Sequence, residues 1–290
     1  MEKYRKIDLH MHTNISDGTD SPEEILMKVK EAGIDLFSVT DHDAVSACRI
    51  IRDILPPDGP VFLTGVEFSC KDEGGKYHIL GYGFNPDEER FAEVLKKGAN
   101  VRAKKMEARL EYLKDNGYSF SPEDERALFA HEKPGKPHLA DLMVARKYAP
   151  DKDTAIKDII NKIKLPIDLY LSPKEAIEGI LAAGGIPALA HPILGSGDED
   201  ITGENLEHRL RKLADFGLKG VEAFYSTFTE EQREAVLDLA DQLGLYVTAG
   251  SDYHGTNKDN KLGFTGLADA AEGPDGLRRF LADVSKLIVR

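Results

Sequence analysis

The chain has few cysteines and no long hydrophobic run. Only Cys48 and Cys70 are present among 290 residues, too few for a disulfide framework, and neither has a second cysteine at the spacing of a zinc site. We interpret both as buried thiols. No apolar stretch approaches the roughly 20 residues that cross a bilayer, and the N-terminal stretch MEKYRKIDLH lacks the apolar centre of a secretory signal. We therefore expect a cytoplasmic protein with no membrane partner.

Positive charge is also scarce. The chain has 38 Lys and Arg against 51 Asp and Glu, a formal net charge of −13. Binding of a long nucleic acid depends on clustered basic side chains, so this composition argues against such a partner. An anionic substrate must then meet positive charge locally. Hydrophobic residues make up 41% of the chain, enough for a substantial core. No repeat or coiled-coil pattern is present, and we expect a monomer.

Short β-branched stretches alternate with helical patterns over most of the chain. Ser21, Ser172 and Thr229 each precede a helical pattern and have Glu or Gln three residues later, which predicts a capping box. Alternating strands and helices form largely parallel sheets, and seven strands suffice for a barrel. The predicted fold class is therefore α/β, a seven-stranded (β/α) TIM-like barrel. The predicted strands are Lys6 to Leu9, Asp35 to Thr40, Val61 to Phe68, Tyr77 to Phe84, Ile186 to Ala190, Lys219 to Phe224 and Leu245 to Ala249.

The alternation stops between about residues 99 and 165. Residues 99–165 hold 14 Lys and Arg against 11 Asp and Glu, giving +3, whereas the rest of the chain carries 24 − 40 = −16. We predict a barrel in two parts, 1–98 and 166–290, with a helical insertion at 99–165 that acts as a substrate cap. A basic cap over an acidic barrel suits an anionic ligand, although ordinary surface variation is an equal alternative. The helical patterns are Pro86 to Asn116, Pro122 to His131, His138 to Tyr148 and Lys152 to Ile163.

Histidines and acids collect at the ends of the predicted strands. The carboxyl ends of parallel barrel strands share one rim, where active sites lie. His78 instead begins its strand, but Gly74 and Gly75 predict a short turn, and an antiparallel hairpin would return His78 to that rim. Six of the nine histidines and four acids occupy strand ends: His10, His12, Asp17, Asp41, His42, Glu67, His78, His191, Asp252 and His254.

This grouping of imidazoles and carboxylates predicts a metal centre on the rim. Such groups are ligands for zinc, manganese and iron, and the absence of thiolate pairs argues against a structural zinc site. His10 and His12 alternate along an extended chain, so both imidazoles point to one side and can chelate one ion. Two alternatives stay open, because Asp17 and Asp41 also fit turn-forming roles. The remaining histidines that we interpret as structural are His131 and His208.

Six strings of the sequence resemble the motifs of the polymerase and histidinol phosphatase (PHP) family in order and spacing. They are IDLHMHTNISDGT, LFSVTDHD, GVEFSC, YHILGY, ALAHP and TAGSDYHG. The resemblance runs from Ile7 to Gly255 apart from the helical segment. It implies a distorted seven-stranded (β/α) barrel with an inserted helical subdomain and a trinuclear site for divalent metal ions. The ions expected are manganese, iron or zinc, with magnesium as an alternative.

The resemblance also implies which residues bind each ion. Some members carry His where this chain has Asp17, and an oxygen ligand there favours Mn²⁺, Fe²⁺ or Mg²⁺ over Zn²⁺. The implied ligands are His10, His12, Glu67 and Asp252 for the first ion, a bridging Glu67 with His78 and His191 for the second, and Asp17, His42 and His254 for the third.

The helical insertion is similar to that of stand-alone members that act on small nucleotides or on the 5′ ends of short RNA. Those relatives use an Arg near the start of a long helix and a His in a Pro-His stretch, which implies substrate contact by Arg102 and His138. Arg102 shares one helical face with Lys105 and Arg109, a face that meets a phosphate or is simply solvated. Weaker candidates for the pocket wall are Tyr225 and Ser226.

The implied activity is hydrolysis of a phosphate monoester by in-line attack of a metal-bridging hydroxide. The expected substrate is a small nucleotide, either a nucleoside 3′,5′-bisphosphate or a nucleoside monophosphate, or the 5′ end of a short RNA. The expected catalytic residues are Asp17, Asp41 and His254, with Asp41 assisting proton transfer.

Three alternative functions stay open. They are a phosphatase for histidinol phosphate or another sugar phosphate, an amidohydrolase-type C–N hydrolase, and a non-catalytic module that binds a nucleotide. Amidohydrolases commonly use a carboxylated Lys as the bridging ligand, whereas this sequence places Glu67 there. The bridging position therefore favours the phosphoesterase over the C–N hydrolase.

Overall fold

The computed structural model describes residues 4–194 and 200–288, and seven strands in this part of the chain form one sheet. Each stretch predicted as a strand overlaps an observed strand, with ends that shift by up to four residues. The strands are β1 (Ile7–Asp8), β2 (Leu36–Val39), β3 (Val61–Asp72), β4 (Gly75–Tyr82), β5 (Ile186–Leu189), β6 (Gly220–Tyr225) and β7 (Tyr246–Gly250).

The strands pair in chain order. β1, β2 and β3 are mutually parallel, as are β5, β6 and β7, whereas β4 runs antiparallel to both of its neighbours. Backbone contacts link the last strand to the first, because the Leu9 N–H donates to the Ala249 carbonyl over 2.9 Å and Met11 pairs with Tyr253. The sheet is therefore a nearly closed seven-stranded barrel, as predicted.

The turn between β3 and β4 determines where His78 lies. Glu73 and Gly74 connect the strands, and Asp72 pairs with Gly75, whose φ is 116°. Glycine adopts this conformation at little cost, and side-chain-bearing residues do not. The predicted hairpin is therefore present, and it returns His78 to the rim at which the parallel strands end.

The helices begin at capping signals and pack against the strands. Ser21, Ser172 and Thr229 each accept a hydrogen bond from the backbone N–H three residues later, and the Glu or Gln there accepts one in return. All three predicted capping boxes are therefore present. The α-helices of the described residues are α1 (Pro22–Glu31), α2 (Ser46–Ile54), α3 (Glu89–Asp115), α4 (Pro122–Ala130), α5 (Lys136–Ala145), α6 (Lys152–Thr154), α7 (Pro173–Ala182), α8 (Gly203–Asp215), α9 (Glu230–Gln242) and α10 (Asp275–Val284). Among them, none combines the length and the hydrophobicity needed to cross a membrane.

The segment predicted to be a helical insertion has no strand between residues 99 and 165, all of which are described. Its first helix, α3, starts at Glu89 and therefore runs across the predicted boundary at residue 98 without a break. Apolar residues of the segment, including Met106, Leu139 and Ile160, form a buried cluster of their own. The division of the chain at 98/99 and 165/166 stays a prediction, and this cluster is the observation that favours it.

The fourth helical pattern of this segment, predicted over residues 152–163, is helical over residues 152–162 but changes its helix type along the way. Only α6 is α-helical, whereas Ala155–Ile159 is π-helical and Ile160–Lys162 is a 3₁₀ turn. Ala155 and Ile160 are five residues apart and both are buried in the insertion's apolar cluster. An α-helix places residues at this spacing on different faces, whereas a π-helix places them on one. Burial of both side chains therefore favours the wider turn.

Candidate metal centre

His10 and His12 follow β1 and form the floor of the site. Both side chains are fully buried, and their Nε2 atoms lie 3.2 Å apart on one side of the extended chain. The segment after β7 holds this backbone in place. The Asp252 N–H donates to the His10 carbonyl and the His12 N–H donates to the Tyr253 carbonyl, each over 2.8 Å. The backbone contacts that close the barrel between β7 and β1 therefore also position His10 and His12.

Four predicted ligands form a compact group. His10 Nε2 lies 3.4 Å from Glu67 Oε1 and 3.4 Å from Asp252 Oδ1. His12 Nε2 lies 3.2 Å from Glu67 Oε2 and 3.4 Å from Asp252 Oδ1. Four donors arranged tetrahedrally at roughly 2.1 Å from one ion are about 3.4 Å from each other, since a tetrahedron's edge is about 1.6 times its centre-to-corner distance. The observed separations fit a single divalent ion.

Glu67 connects this group to a second one. Its Oε1 lies 3.0 Å from His78 Nδ1 and 3.4 Å from His191 Nε2. This oxygen is buried and has no hydrogen-bond partner among the described residues. An unsatisfied buried carboxylate oxygen is costly unless a cation compensates for it. The chemistry of these donors therefore fits bound divalent ions, with Glu67 placed to bridge them.

The third group surrounds Asp17. His254 Nε2 lies 3.4 Å from Asp17 Oδ1, and His42 Nε2 lies 3.8 Å from Asp17 Oδ2. His42 Nδ1 is also 3.2 Å from Glu67 Oε2, so this group adjoins the other two. The structure thus brings together all the side chains predicted as ligands: His10, His12, Asp17, His42, Glu67, His78, His191, Asp252 and His254. Their binding of metal, and the number and identity of the ions, stay predictions.

Two of these residues have a left-handed backbone. The φ angle is 55° at Asp252 and 27° at His191. Such strain in non-glycine residues concentrates at functional sites and persists where the surroundings enforce it. Beside Asp252, the fully buried Asp8 accepts from the Ser251 N–H over 2.9 Å and from the Ser251 hydroxyl over 2.6 Å. Burial raises the pKa of Asp8 to about 6. Asp8 thus holds the segment that carries Asp252.

Glu222 is a site residue that sequence reasoning missed. It lies within β6 and is fully buried. Its Oε1 is 3.0 Å from His10 Nδ1, and its Oε2 accepts from the His191 N–H over 2.9 Å. A carboxylate on the outer nitrogen of a metal-binding imidazole sets the tautomer and the orientation of the ring. The available signal was a charged residue inside the strand GVEAFY, where a buried strand is normally apolar.

Asp41 lies beside the site, but its carboxylate faces the loop after His12. Its Oδ1 accepts from the Thr13 N–H over 2.9 Å and from the Ser16 hydroxyl over 2.6 Å. Its Oδ2 accepts from the Thr13 hydroxyl over 2.7 Å. Both oxygens thus hold the loop that carries Asp17. This geometry favours the turn-forming alternative, and proton transfer by Asp41 stays a prediction.

The two predicted wall residues after β6 have different environments. The Tyr225 hydroxyl donates to Asp252 Oδ2 over 2.7 Å, and the Lys258 ammonium donates to the same oxygen over 2.6 Å. The Ser226 hydroxyl donates instead to the Ser251 carbonyl over 3.1 Å. Tyr225 and Lys258 therefore orient a predicted ligand. Substrate contact by Tyr225 or Ser226 stays a prediction.

A cavity of about 280 Å³ opens beside Asp17, His42 and His254. Its wall is rich in basic side chains, although the whole chain is acidic. The cations that line it in the described part of the chain are Lys76, Arg102, Lys105, Arg109, Lys136 and Lys258. Because these charges adjoin the predicted metal centre, the cavity is suited to an anion.

Arg102 lies in this wall and reaches the third ligand group. Its buried guanidinium donates to Asp43 Oδ2 over 3.3 Å and to Asp17 Oδ2 over 3.5 Å. The Arg102 Nε has no hydrogen-bond partner among the described residues. Arg102 therefore connects the third ligand group to the cavity wall. Its contact with substrate stays a prediction.

The His138 ring is held by contacts within its own segment. Its Nδ1 accepts from the Gly135 N–H over 2.9 Å, and its ring stacks on His131 with 3.9 Å between centroids. Burial lowers the pKa of His138 to about 4, so the imidazole is neutral at pH 7. Gly135 and Pro137 line the cavity, but His138 is not among the described residues that do. Its role in substrate binding stays a prediction.

The chain is similar to known proteins over most of its length. Residues 8–130 match the PHP domain family. Three curated relatives each align with 86% of this chain. A phosphoribosyl 1,2-cyclic phosphate 1,2-diphosphodiesterase from Eggerthella lenta is 28% identical over 94% of its length. A 5′-3′ exoribonuclease from Haemophilus influenzae is 27% identical over 90%. A 3′,5′-nucleoside bisphosphate phosphatase from Chromobacterium violaceum is 29% identical over 87%.

The fold comparison extends the similarity to nearly the whole chain. A solved structure from Bifidobacterium adolescentis, assigned as a metal-dependent phosphoesterase, superposes with a TM-score of 0.79 at 26% identity. The superposition covers 98% of this chain and 96% of the other. Residues 8–130 therefore match a PHP domain, and over nearly its whole length the chain is similar to metal-dependent phosphoesterases.

Proposed function

We propose that this chain hydrolyses phosphate monoesters of small nucleotides, with nucleoside 3′,5′-bisphosphates and nucleoside monophosphates as its substrate class. The observation that carries the proposal is the buried Glu67 Oε1, which lacks a hydrogen-bond partner among the described residues and lies among imidazoles. A cavity with a basic wall adjoins these groups. The name of the Chromobacterium violaceum relative supports this substrate class.

The predicted ligands would hold divalent ions, which when bound supply a water of lowered pKa and positive charge for phosphoryl oxygens. The other residues orient the predicted ligands or are suited to bind the substrate. Glu222 holds the His10 ring, and Tyr225 and Lys258 hold the Asp252 carboxylate. Arg102 presents a planar, permanently charged guanidinium that suits a phosphate oxygen. Burial of His10, His12 and Glu67 keeps these side chains from bulk water, which strengthens their electrostatic contacts.

A second cavity supports the 5′ end of a short RNA as another candidate substrate. It measures about 480 Å³ and shares His42 and His78 with the first cavity. Lys157 and Arg209 belong to its wall and are suited to further backbone phosphates. Together the two cavities extend past the predicted metal centre, and the name of the Haemophilus influenzae relative is consistent with such a substrate.

Phosphate release by the full chain tests the proposal. The protein would be stripped of metal, reloaded with Mn²⁺, Zn²⁺ or Fe²⁺, and assayed on adenosine 3′,5′-bisphosphate, AMP, a 5′-phosphorylated trinucleotide and histidinol phosphate. We expect metal-dependent release from a nucleotide and a loss of at least about a hundredfold in His191→Ala, which removes a predicted ligand. His208→Ala, on the exposed face of α8, is the matched control and should keep full activity.

The four substrates separate the remaining alternatives. Release from histidinol phosphate alone would replace the nucleotide by a sugar phosphate. Release only from the trinucleotide would favour the RNA candidate. No release from any substrate with any of the metals would overturn the proposal.

A further inference from the structure

Asn257 lies between the helical insertion and the predicted ligand Asp17. It is half-buried at the end of a short 3₁₀ turn in the segment after β7, and it lines the cavity beside Asp17. Its Nδ2 donates to the Asp17 backbone carbonyl over 2.9 Å, and its Oδ1 accepts from the Lys152 ammonium over 2.8 Å. Lys152 begins α6 of the insertion. One side chain therefore connects the insertion to the backbone of a predicted ligand.

The asparagine side chain suits both of these contacts. An amide has an acceptor oxygen and a donor NH₂ group, so it can accept from an ammonium while it donates to a carbonyl. The reversed orientation would place the NH₂ group against the Lys152 ammonium and the amide oxygen against the Asp17 carbonyl. The two partners therefore fix the orientation of the Asn257 amide, and an aspartate at this position would suit Lys152 alone.

Lys152 is also held within the insertion. Its ammonium lies 2.7 Å from Asp141 Oδ1 on α5. The Asp141 side chain is 52% exposed, and an ion pair of this kind adds little stability by itself. It does restrict the long Lys152 side chain, so less conformational freedom is lost when Lys152 contacts Asn257. The contact with Asn257 therefore links the barrel to two helices of the insertion.

Two other parts of the insertion also lie against Asp17. Arg102 of α3 donates to Asp17 Oδ2 over 3.5 Å. Gly135, just before α5, packs so closely that a β-carbon there would lie 3.0 Å from the Asp17 β-carbon. Arg102 and Gly135 approach the side chain, whereas Asn257 holds the backbone. The position of the Asp17 carboxylate therefore depends on how the insertion lies on the barrel.

We propose that Asn257 is a positioning residue that couples the insertion to metal binding by the third ligand group, Asp17, His42 and His254. When Lys152 holds Asn257, the Asp17 backbone is already fixed, and less order must be gained as the ion binds. The coupling is reciprocal, so an ion at Asp17 also holds the insertion against the barrel. This inference goes beyond the proposed function, because it concerns metal binding and requires no particular substrate.

Three variants interrupt this connection at different points. Asn257→Leu removes both contacts. Asn257→Asp keeps an acceptor for Lys152 but places a second oxygen against the Asp17 carbonyl. Lys152→Met removes only the contact from the insertion. We expect the affinity for one Mn²⁺ ion per chain to fall about tenfold in both Asn257 variants and about threefold in Lys152→Met. Competition with a chelator and the metal content per chain measure these affinities.

Two exposed positions supply matched controls. Asn100→Asp on α3 introduces the same charge as Asn257→Asp, and Lys162→Met in the insertion removes the same charge as Lys152→Met. Both controls should bind Mn²⁺ as tightly as the wild type does. If the Asn257 and Lys152 variants also bind it as tightly as the wild type, the proposal is overturned.

A double-mutant cycle separates the positioning of Asp17 from a general loss of structure. Asp17→Ala removes the predicted ligand but keeps the backbone carbonyl that Asn257 holds. If Asn257 acts through the Asp17 carboxylate, adding Asn257→Leu to Asp17→Ala should not lower the affinity for the ions that remain. A general loss of structure would lower that affinity as well, and this result would overturn the positioning role.

Hydrogen exchange tests the reciprocal effect without an assay of activity. Mn²⁺ should slow the exchange of backbone amides in residues 152–162 of the wild type, and it should slow them less in Lys152→Met. Equal slowing in the two proteins would overturn the coupling. Phosphate release is the readout of neither test. Absence of hydrolysis by the metal-loaded chain would therefore refute the proposed function alone, and unchanged metal binding in the variants would refute this inference alone.

Discussion

A single carboxylate, that of Glu222, contacts two of the predicted ligands. It lies 3.0 Å from His10 Nδ1 and accepts from the His191 N–H over 2.9 Å. Glu222→Gln keeps the shape but supplies an NH₂ group to one of these partners, so the His10 ring loses its charged acceptor or His191 loses its backbone bond. We expect metal affinity to fall about tenfold to a hundredfold, measured by competition with a chelator and by metal content.

The control for Glu222 is another glutamate. Glu234→Gln lies on the exposed face of α9 and removes the same charge from the same chain. It should leave metal affinity unchanged. If Glu222→Gln binds metal as tightly as Glu234→Gln, Glu222 does not position the predicted ligands.

Asp41 is the residue for which the two sequence interpretations make opposite predictions. If Asp41 holds the loop through Thr13 and Ser16, Asp41→Asn loses about 1–3 kcal/mol of unfolding free energy, because a donor then faces a donor. The pH profile of activity keeps its shape in this case. If Asp41 transfers a proton, one limb of that profile disappears. Urea unfolding and kcat/KM between pH 5 and 9 distinguish the two roles, and we expect the first result.

Among the secondary structure elements, the β3–β4 hairpin places His78. Gly75 has a φ of 116°, which Ala adopts only with strain of about 1–3 kcal/mol. We expect Gly75→Ala to lower the unfolding free energy by this amount and also to lower the metal content, because the turn sets the position of His78. Gly33 also has a positive φ, of 64°, and lies at the end of α1 away from the site. Gly33→Ala should lose stability without losing metal, and equal metal loss in both variants would contradict this reasoning.

For the whole molecule, buried Lys105 makes stability depend on pH. Burial lowers its pKa from 10.5 to about 7 in the fold. Between these values the unfolded chain binds a proton that the folded chain does not, so this residue makes stability rise with pH. The unfolding free energy that is lost by burying the charged Lys105 is largest below pH 7, and this loss disappears as the pH approaches 10.5. Lys105→Met should therefore stabilise the protein by about 1–3 kcal/mol more at pH 6 than at pH 9.

Urea unfolding of wild type and Lys105→Met at both pH values, without phosphate, measures this difference. Subtracting the unfolding free energy of the wild type from that of the variant at each pH cancels the contribution of groups that titrate equally in both proteins. Lys104→Met should show no such change with pH, because its side chain is exposed. A stabilisation that is the same at pH 6 and pH 9 would mean that Lys105 does not titrate in this range.

Local signals explain which features were predictable. The seven strands, the capping boxes at Ser21, Ser172 and Thr229, and the hairpin each depend on a few neighbouring residues. The convergence of the predicted ligands follows from the rule that parallel strands end at one rim. The π-helical stretch at Ala155–Ile159 was not predictable, because it depends on which side chains the insertion buries.

The sequence by itself determined the barrel, the helical character of residues 99–165 and the types of ligand side chain at the site. These features depend on hydrophobic periodicity, helix capping and the residues at strand ends, all of which are local in the sequence. Only the tertiary structure decided the contacts of Glu222 and Asp41 and the burial of Lys105. Glu222 lies beside a histidine 212 positions away, and Asp41 faces its neighbouring loop. Lys105 is buried and forms no ion pair within the described part of the chain. These features depend on which groups tertiary packing brings into contact and which groups it buries away from water. A local sequence pattern predicts neither the contacts nor the burial.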